Sequence, residues 1–77
     1  VKYYKYYKIT YNEERDAFET YIYTGTNEYP TSKDYGLELS VKCVPSKFSD
    51  EPNFIHFEIL KRISRAKSLG YTIIWEI

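Results

Sequence analysis

Residues 59–77 read Ile-Leu-Lys-Arg-Ile-Ser-Arg-Ala-Lys-Ser-Leu-Gly-Tyr-Thr-Ile-Ile-Trp-Glu-Ile, and the spacing of the apolar residues changes at Gly70. Before Gly70, Ile59, Leu60, Ile63 and Ala66 recur at helical intervals and continue a stripe from Ile55, while Glu58, Lys61, Arg62 and Arg65 fall on the other side. After it, Tyr71 to Ile77 is a run of β-branched and aromatic residues apolar enough for an interior strand. Gly70 suits the left-handed position that ends a helix. The helix start is read at Ser49-Asp50-Glu51-Pro52, where a capping side chain, two carboxylates at the positive end of the dipole and a first-turn proline coincide. A helix with one apolar side, followed at once by a strand, requires a sheet for that side to cover.

The upstream sequence supplies the sheet. Lys2 to Tyr11 is rich in the tyrosine and β-branched residues that suit a pleated, half-buried surface, and Ala17 to Thr24 reads as its antiparallel return. Asn12 to Asp16 is polar and short enough to join them as a hairpin. Gly25 to Gly36 is a long polar loop. Leu37 to Val44 then alternates, with Leu37, Leu39, Val41 and Cys43 on one side and Glu38, Ser40 and Lys42 on the other, and Pro45 ends it. The expected fold is therefore α+β. It has a four-stranded mixed, mainly antiparallel sheet in the order β-β-β-α-β, with spatial order 4-1-2-3, a right-handed parallel crossover into the last strand, and one helix on one face.

Seventy-seven residues make one domain, 1–77, with a small core and a thin margin of stability. Eleven basic residues balance eleven acidic ones, so no net field steers the chain to a polyanion. The single Cys43 has no internal disulfide partner, which points to a reducing, cytoplasmic setting and to an inert buried thiol. No apolar stretch reaches the length of a membrane span, and Val1 to Lys5 lacks the apolar region of a signal peptide.

Ten tyrosines are the feature that composition leaves to be explained. If Ile9, Phe18 and Ile22 face the helix, strand alternation sends Tyr4, Tyr6, Tyr21 and Tyr23 to the uncovered side. Lys2, Lys8, Glu19, Glu38, Ser40 and Lys42 would then form a mixed-charge rim. Tyrosine offers large contact area with few rotors to freeze, the anatomy of many protein interfaces. Tyr29, Lys33, Asp34 and Tyr35 on the long loop form a second candidate contact, able to wedge into a partner's cleft. Phe48, Phe54 and Phe57 cluster near the helix start and are read as a plug for the end of the core.

Catalysis finds little footing. His56 beside the apolar stripe reads as structural, one His and one Cys do not make a zinc site, and no phosphate loop, nucleophile elbow or His-Glu-x-x-His occurs. No cofactor, metal site or catalytic residue is expected. The segment Leu69-Gly70-Tyr71-Thr72-Ile73-Ile74-Trp75-Glu76 resembles the helix-to-strand ending of short-patch-repair and related restriction-like endonucleases. That resemblance implies a metal-binding aspartate upstream of a Glu-x-Lys strand. Here Asp34 precedes Glu38-Leu39-Ser40-Val41-Lys42, with three residues between Glu and Lys, so the pair shares a face one pleat too far apart.

The leading expectation is a non-catalytic protein-binding domain, an inhibitor or adaptor of a larger protein or complex. Short chains rich in Tyr, Lys, Ile and Asn are similar to small proteins of phages and mobile elements, including blockers of bacterial defence complexes. The alternative is single-stranded nucleic acid stacked on the tyrosine face, with Lys2, Lys8, Lys42, Lys61, Arg62 and Arg65 meeting phosphates. A strand edge or the tyrosine face is where a homodimer would form.

Overall fold

The computed structural model describes residues 1–42 and 57–76, and of Phe57 the backbone alone. Strand β1 spans Tyr4–Asn12, β2 Ala17–Gly25, β3 Gly36–Lys42, helix α1 Phe57–Ser68 and β4 Thr72–Glu76. The sheet order is β3-β2-β1-β4, the expected arrangement, with β1 antiparallel to β2, β2 antiparallel to β3, and β4 parallel to β1. The proposed helix start at Ser49–Pro52 lies outside the described residues. So do Ile55, the end of the third strand from Cys43 on, the Phe48 and Phe54 plug, His56 and Ile77.

Local chemistry explains the joints. The β1–β2 connection closes with Asn12 Oδ1 accepting the Arg15 amide at 3.3 Å, and Asp16 takes a left-handed φ of 48°, which aspartate tolerates better than most residues. Its carboxylate accepts the Tyr11 hydroxyl. At the helix end Gly70 has φ 89°; its amide donates to Lys67 O at 3.1 Å and the Tyr71 amide to Ala66 O at 3.0 Å. This is a Schellman cap, and the half-buried Tyr71 packs back on the core as such caps favour.

One face of the sheet meets the helix. Tyr7 and Ile9 of β1 and Ile59, Ile63 and Ala66 of α1 form the buried centre, with Phe18, Ile22, Leu39, Val41, Tyr71 and Ile73 packed around it. Sealing an aliphatic side chain this way contributes about 1.5–3 kcal/mol each, so these few contacts carry much of a small domain's stability. Leu60, expected in the same stripe, is 48% exposed, because it stands one helical step to the side of Ile59 and Ile63.

Strand β3 departs from the expected alternation. Thr20 pairs with Leu39 and Tyr21 with Leu37, which leaves Glu38 as an extra residue in a β-bulge. The bulge puts Leu37 on the Tyr21 side, 58% exposed, and frees Glu38 to reach the helix side, where Arg62 Nη1 donates to its Oε1 at 2.7 Å. Arg62 thus pairs across the fold rather than with Glu58 one turn back. Glu38 is no part of the open-face rim, and Leu37 is no part of the core.

Candidate functional site

The uncovered face is built by the hairpin. Because Tyr7 and Ile9 face the helix, Tyr4, Tyr6 and Lys8 emerge on the other side; by cross-strand register Tyr6 stands opposite Tyr23, and Lys8 opposite Tyr21. The rings form a row. Tyr4 and Tyr6 stack at 6.2 Å between centroids, Tyr6 and Tyr23 at 6.1 Å, and Tyr23 meets Tyr35 at 5.8 Å in a tilted arrangement.

Part of the long loop folds onto this row and divides its members. Tyr23 is only 9% exposed: its hydroxyl accepts the Asn27 amide at 3.0 Å, and its ring leans over Gly25. A Cβ at Gly25 would come within 2.8 Å of Tyr23 Cζ, so any larger residue there has to push the Tyr23 ring aside. Tyr23, expected to touch a partner, is instead a buried pillar. Tyr6 is half-buried and donates its hydroxyl to Glu28 O at 2.8 Å, so it anchors the loop while keeping part of its ring open. Tyr4 and Tyr21 are half-buried, and the Tyr21 hydroxyl donates to Glu19 Oε1 at 3.4 Å. Glu19, expected on the rim, is buried among these partners and also accepts from Asn12 Nδ2 at 3.4 Å.

Lys8 occupies the centre rather than the rim. Its side chain is 13% exposed, with Nζ 4.1 Å from the Tyr35 ring centroid, 5.8 Å from that of Tyr21, and 3.9 Å from Glu76 Oε2. Tyr35 therefore does not project from the loop tip; it caps a lysine on the sheet through a cation–π contact. At the outer end Lys2 Nζ lies 5.9 Å from the Tyr4 ring. Tyr29, Lys33 and Asp34 remain exposed on the loop, where Asp34 Oδ2 accepts the Thr31 amide at 2.9 Å and shapes a turn. They do not join the ring row.

Electrostatics keep the face neutral. Partial burial, then the Glu28 carboxylate, raises the Tyr6 phenol above its ordinary 10.0; burial followed by Glu19 does the same to Tyr21, and burial followed by Tyr6 and Glu76 to Tyr35. These hydroxyls are proton donors at neutral pH. The surface thus offers aromatic area, phenol groups and a few charges, and no paired nucleophile and base.

The other sequence candidates are not gathered here. Lys42 is exposed on the open side at the β3 edge, whereas Lys61, Arg62 and Arg65 lie on the helix, behind the sheet. Lys61, Arg62 and Arg65 border a cavity of about 590 Å³ with Tyr7, Ile22 and Glu38. Asp34, Glu38 and Lys42, the set suggested by the endonuclease resemblance, are separated: Asp34 is in the loop turn, Glu38 faces the helix and Lys42 the open side. Among the described residues no group of three or more His, Cys, Asp or Glu side chains could hold a metal ion, and no helix is long and apolar enough to cross a membrane. Leu37 is an exposed open-face residue that sequence reasoning missed; no local signal marks the bulge that exposes it.

Comparison of the chain with protein-family models, with curated proteins and with solved structures finds no match.

Proposed function

We propose that the chain is a non-catalytic protein-binding domain that acts by occlusion, as an inhibitor or adaptor of a larger protein or complex. Its contact surface is the open sheet face: Tyr4, Tyr6, Tyr21 and Tyr35, with Leu37 beside Tyr21 and with Lys2 and Lys42 at the margins. The observation that carries this reading is the stacked ring row on the side of the sheet that the helix leaves uncovered. Such rings are already held by the strands and the loop, so a partner gains aromatic contact with little further ordering cost. Small phage and mobile-element proteins that block bacterial defence complexes are the class of inhibitor proposed, and a cytoplasmic setting goes with it.

A captured partner, purified and titrated, tests the reading. The double variant Tyr4→Ala/Tyr21→Ala should weaken binding by at least about tenfold, roughly 1.4 kcal/mol, while the chain stays folded. Unchanged affinity would remove the face from the interaction. Single-stranded nucleic acid is the rival ligand, favoured by the exposed ring edges but not by the split of the basic residues between the two faces. It predicts oligonucleotide binding that weakens steeply with salt, and a flat low-salt titration excludes it.

A further inference from the structure

The two edges of the sheet are built differently. Strand β3 carries the Glu38 bulge and Lys42, both devices that discourage another strand from pairing there. Among the described residues strand β4, Thr72-Ile73-Ile74-Trp75-Glu76, pairs with β1 on one side only, and it has neither bulge, lysine nor proline.

The helix side of this edge also carries two large exposed apolar side chains. Glu58, Lys61, Arg62, Arg65 and Leu69 border the cavity toward β3, so the opposite flank of α1, with Leu60, Ser64 and Lys67, lies toward the free edge of β4. Leu60 is 48% exposed and Trp75, on the helix side by its register with Ile9, is 49% exposed. A large aromatic and a leucine beside an unpaired strand edge are costly to leave in water.

We infer that β4 pairs antiparallel with β4 of a second copy, about a twofold axis that passes between the two Ile74 residues and runs perpendicular to the sheet. The strand's own order selects this register. Side chains directly opposite must share a face, so a twofold pairing centres on a residue, here Ile73, Ile74 or Trp75. Centring on Ile74 sets Ile73 against Trp75 on the helix side and Thr72 against Glu76 on the open side, with all five residues paired and polar matched to polar. Centring on Ile73 sets Thr72 against Ile74, and centring on Trp75 sets Ile74 against Glu76; each leaves residues unpaired. In the Ile74 register the two helices flank the axis on one side, with Leu60 and Trp75 of both copies between them. The two tyrosine faces become one surface on the other side, yet the pairing does not depend on what that surface binds.

Sedimentation and cysteine cross-linking test it. The chain should sediment as a dimer at about 100 µM, a range in which a modest edge interface is populated. Trp75→Glu and Leu60→Glu should each shift it to monomer while circular dichroism stays native. In a Cys43→Ser background, Ile74→Cys should cross-link on oxidation, because opposite Cα atoms lie about 4.5–5.5 Å apart, within disulfide reach. Thr72→Cys should cross-link at least about tenfold more slowly, its symmetry mate being about 14 Å away along the strand. A monomer at that concentration, a dimer that survives both glutamate variants, equal cross-linking at 72 and 74, or a dimer broken instead by Tyr4→Ala would overturn the proposal.

Discussion

The two faces of this sheet use the same residue type in opposite ways. On the helix side Tyr7 is 1% exposed and fills core volume, and its hydroxyl is buried beside Thr20 and Glu38, whose polar atoms make no well-formed hydrogen bond with it among the described residues. On the open side Tyr6 and Tyr21 keep partial exposure and place their hydroxyls on Glu28 and Glu19, and Tyr23 accepts from Asn27. A tyrosine turned to the helix acts as an aromatic filler with a burdened polar end. One turned outward is tied down by its hydroxyl, and Tyr6 and Tyr21, unlike the loop-covered Tyr23, keep part of the ring in solvent.

The largest effect that sharpens this contrast belongs to the helix side. Ile59→Ala, at a fully buried position, should cost about 2–5 kcal/mol in urea unfolding, enough to unfold much of the population of a small domain. A cost below that of an exposed substitution would mean that the helix does not seal the core. Gly25→Ala comes next: it forces Tyr23 off its seat over the loop, with an expected loss of about 1–3 kcal/mol and a faster amide exchange at Asn27. An unchanged Asn27 exchange rate would contradict the pillar role of Tyr23.

Most of this contrast was legible in the residues themselves. The period change at Gly70, the alternation of the hairpin and the apolar stripe of α1 marked the elements and which tyrosines turn outward, because each depends on local periodicity, while the sheet order followed from the crossover rule for parallel strands. The bulge was not legible. Leu37 to Val41 alternates as well as any strand, and whether an extra residue is accommodated depends on the pairing with β2 and the pull of Arg62 on Glu38. The burial of Tyr23 and the capping of Lys8 by Tyr35 also escaped, since residues of the long loop create them and no period encodes their approach.

Smaller effects separate the faces further. Tyr7→Phe removes a buried hydroxyl that faces Thr20 and Glu38 without a well-formed hydrogen bond among the described residues, and should change stability by less than about 1 kcal/mol; a larger loss would show that Thr20 or Glu38 binds it. The same variant bears on pH. Burial raises the Tyr7 phenol above 10.0, so the folded chain holds its proton where the unfolded chain releases it. The stability this group contributes is intact below pH 10 and declines as pH rises beyond it. Denaturation curves taken between pH 9 and 12 should therefore fall more gently for Tyr7→Phe than for the parent chain; parallel curves would show that folding does not raise the Tyr7 phenol.

The account rests most directly on which rings water can reach. Tyrosine-resolved NMR with a soluble paramagnetic probe should broaden the ring signals of Tyr4, Tyr6 and Tyr21, leave Tyr7 and Tyr23 sharp, and lose the broadening at the first three when a binding partner is added. Broadening of Tyr7 to the same extent as Tyr6, or a partner that leaves the Tyr4, Tyr6 and Tyr21 signals as exposed as before, would contradict it.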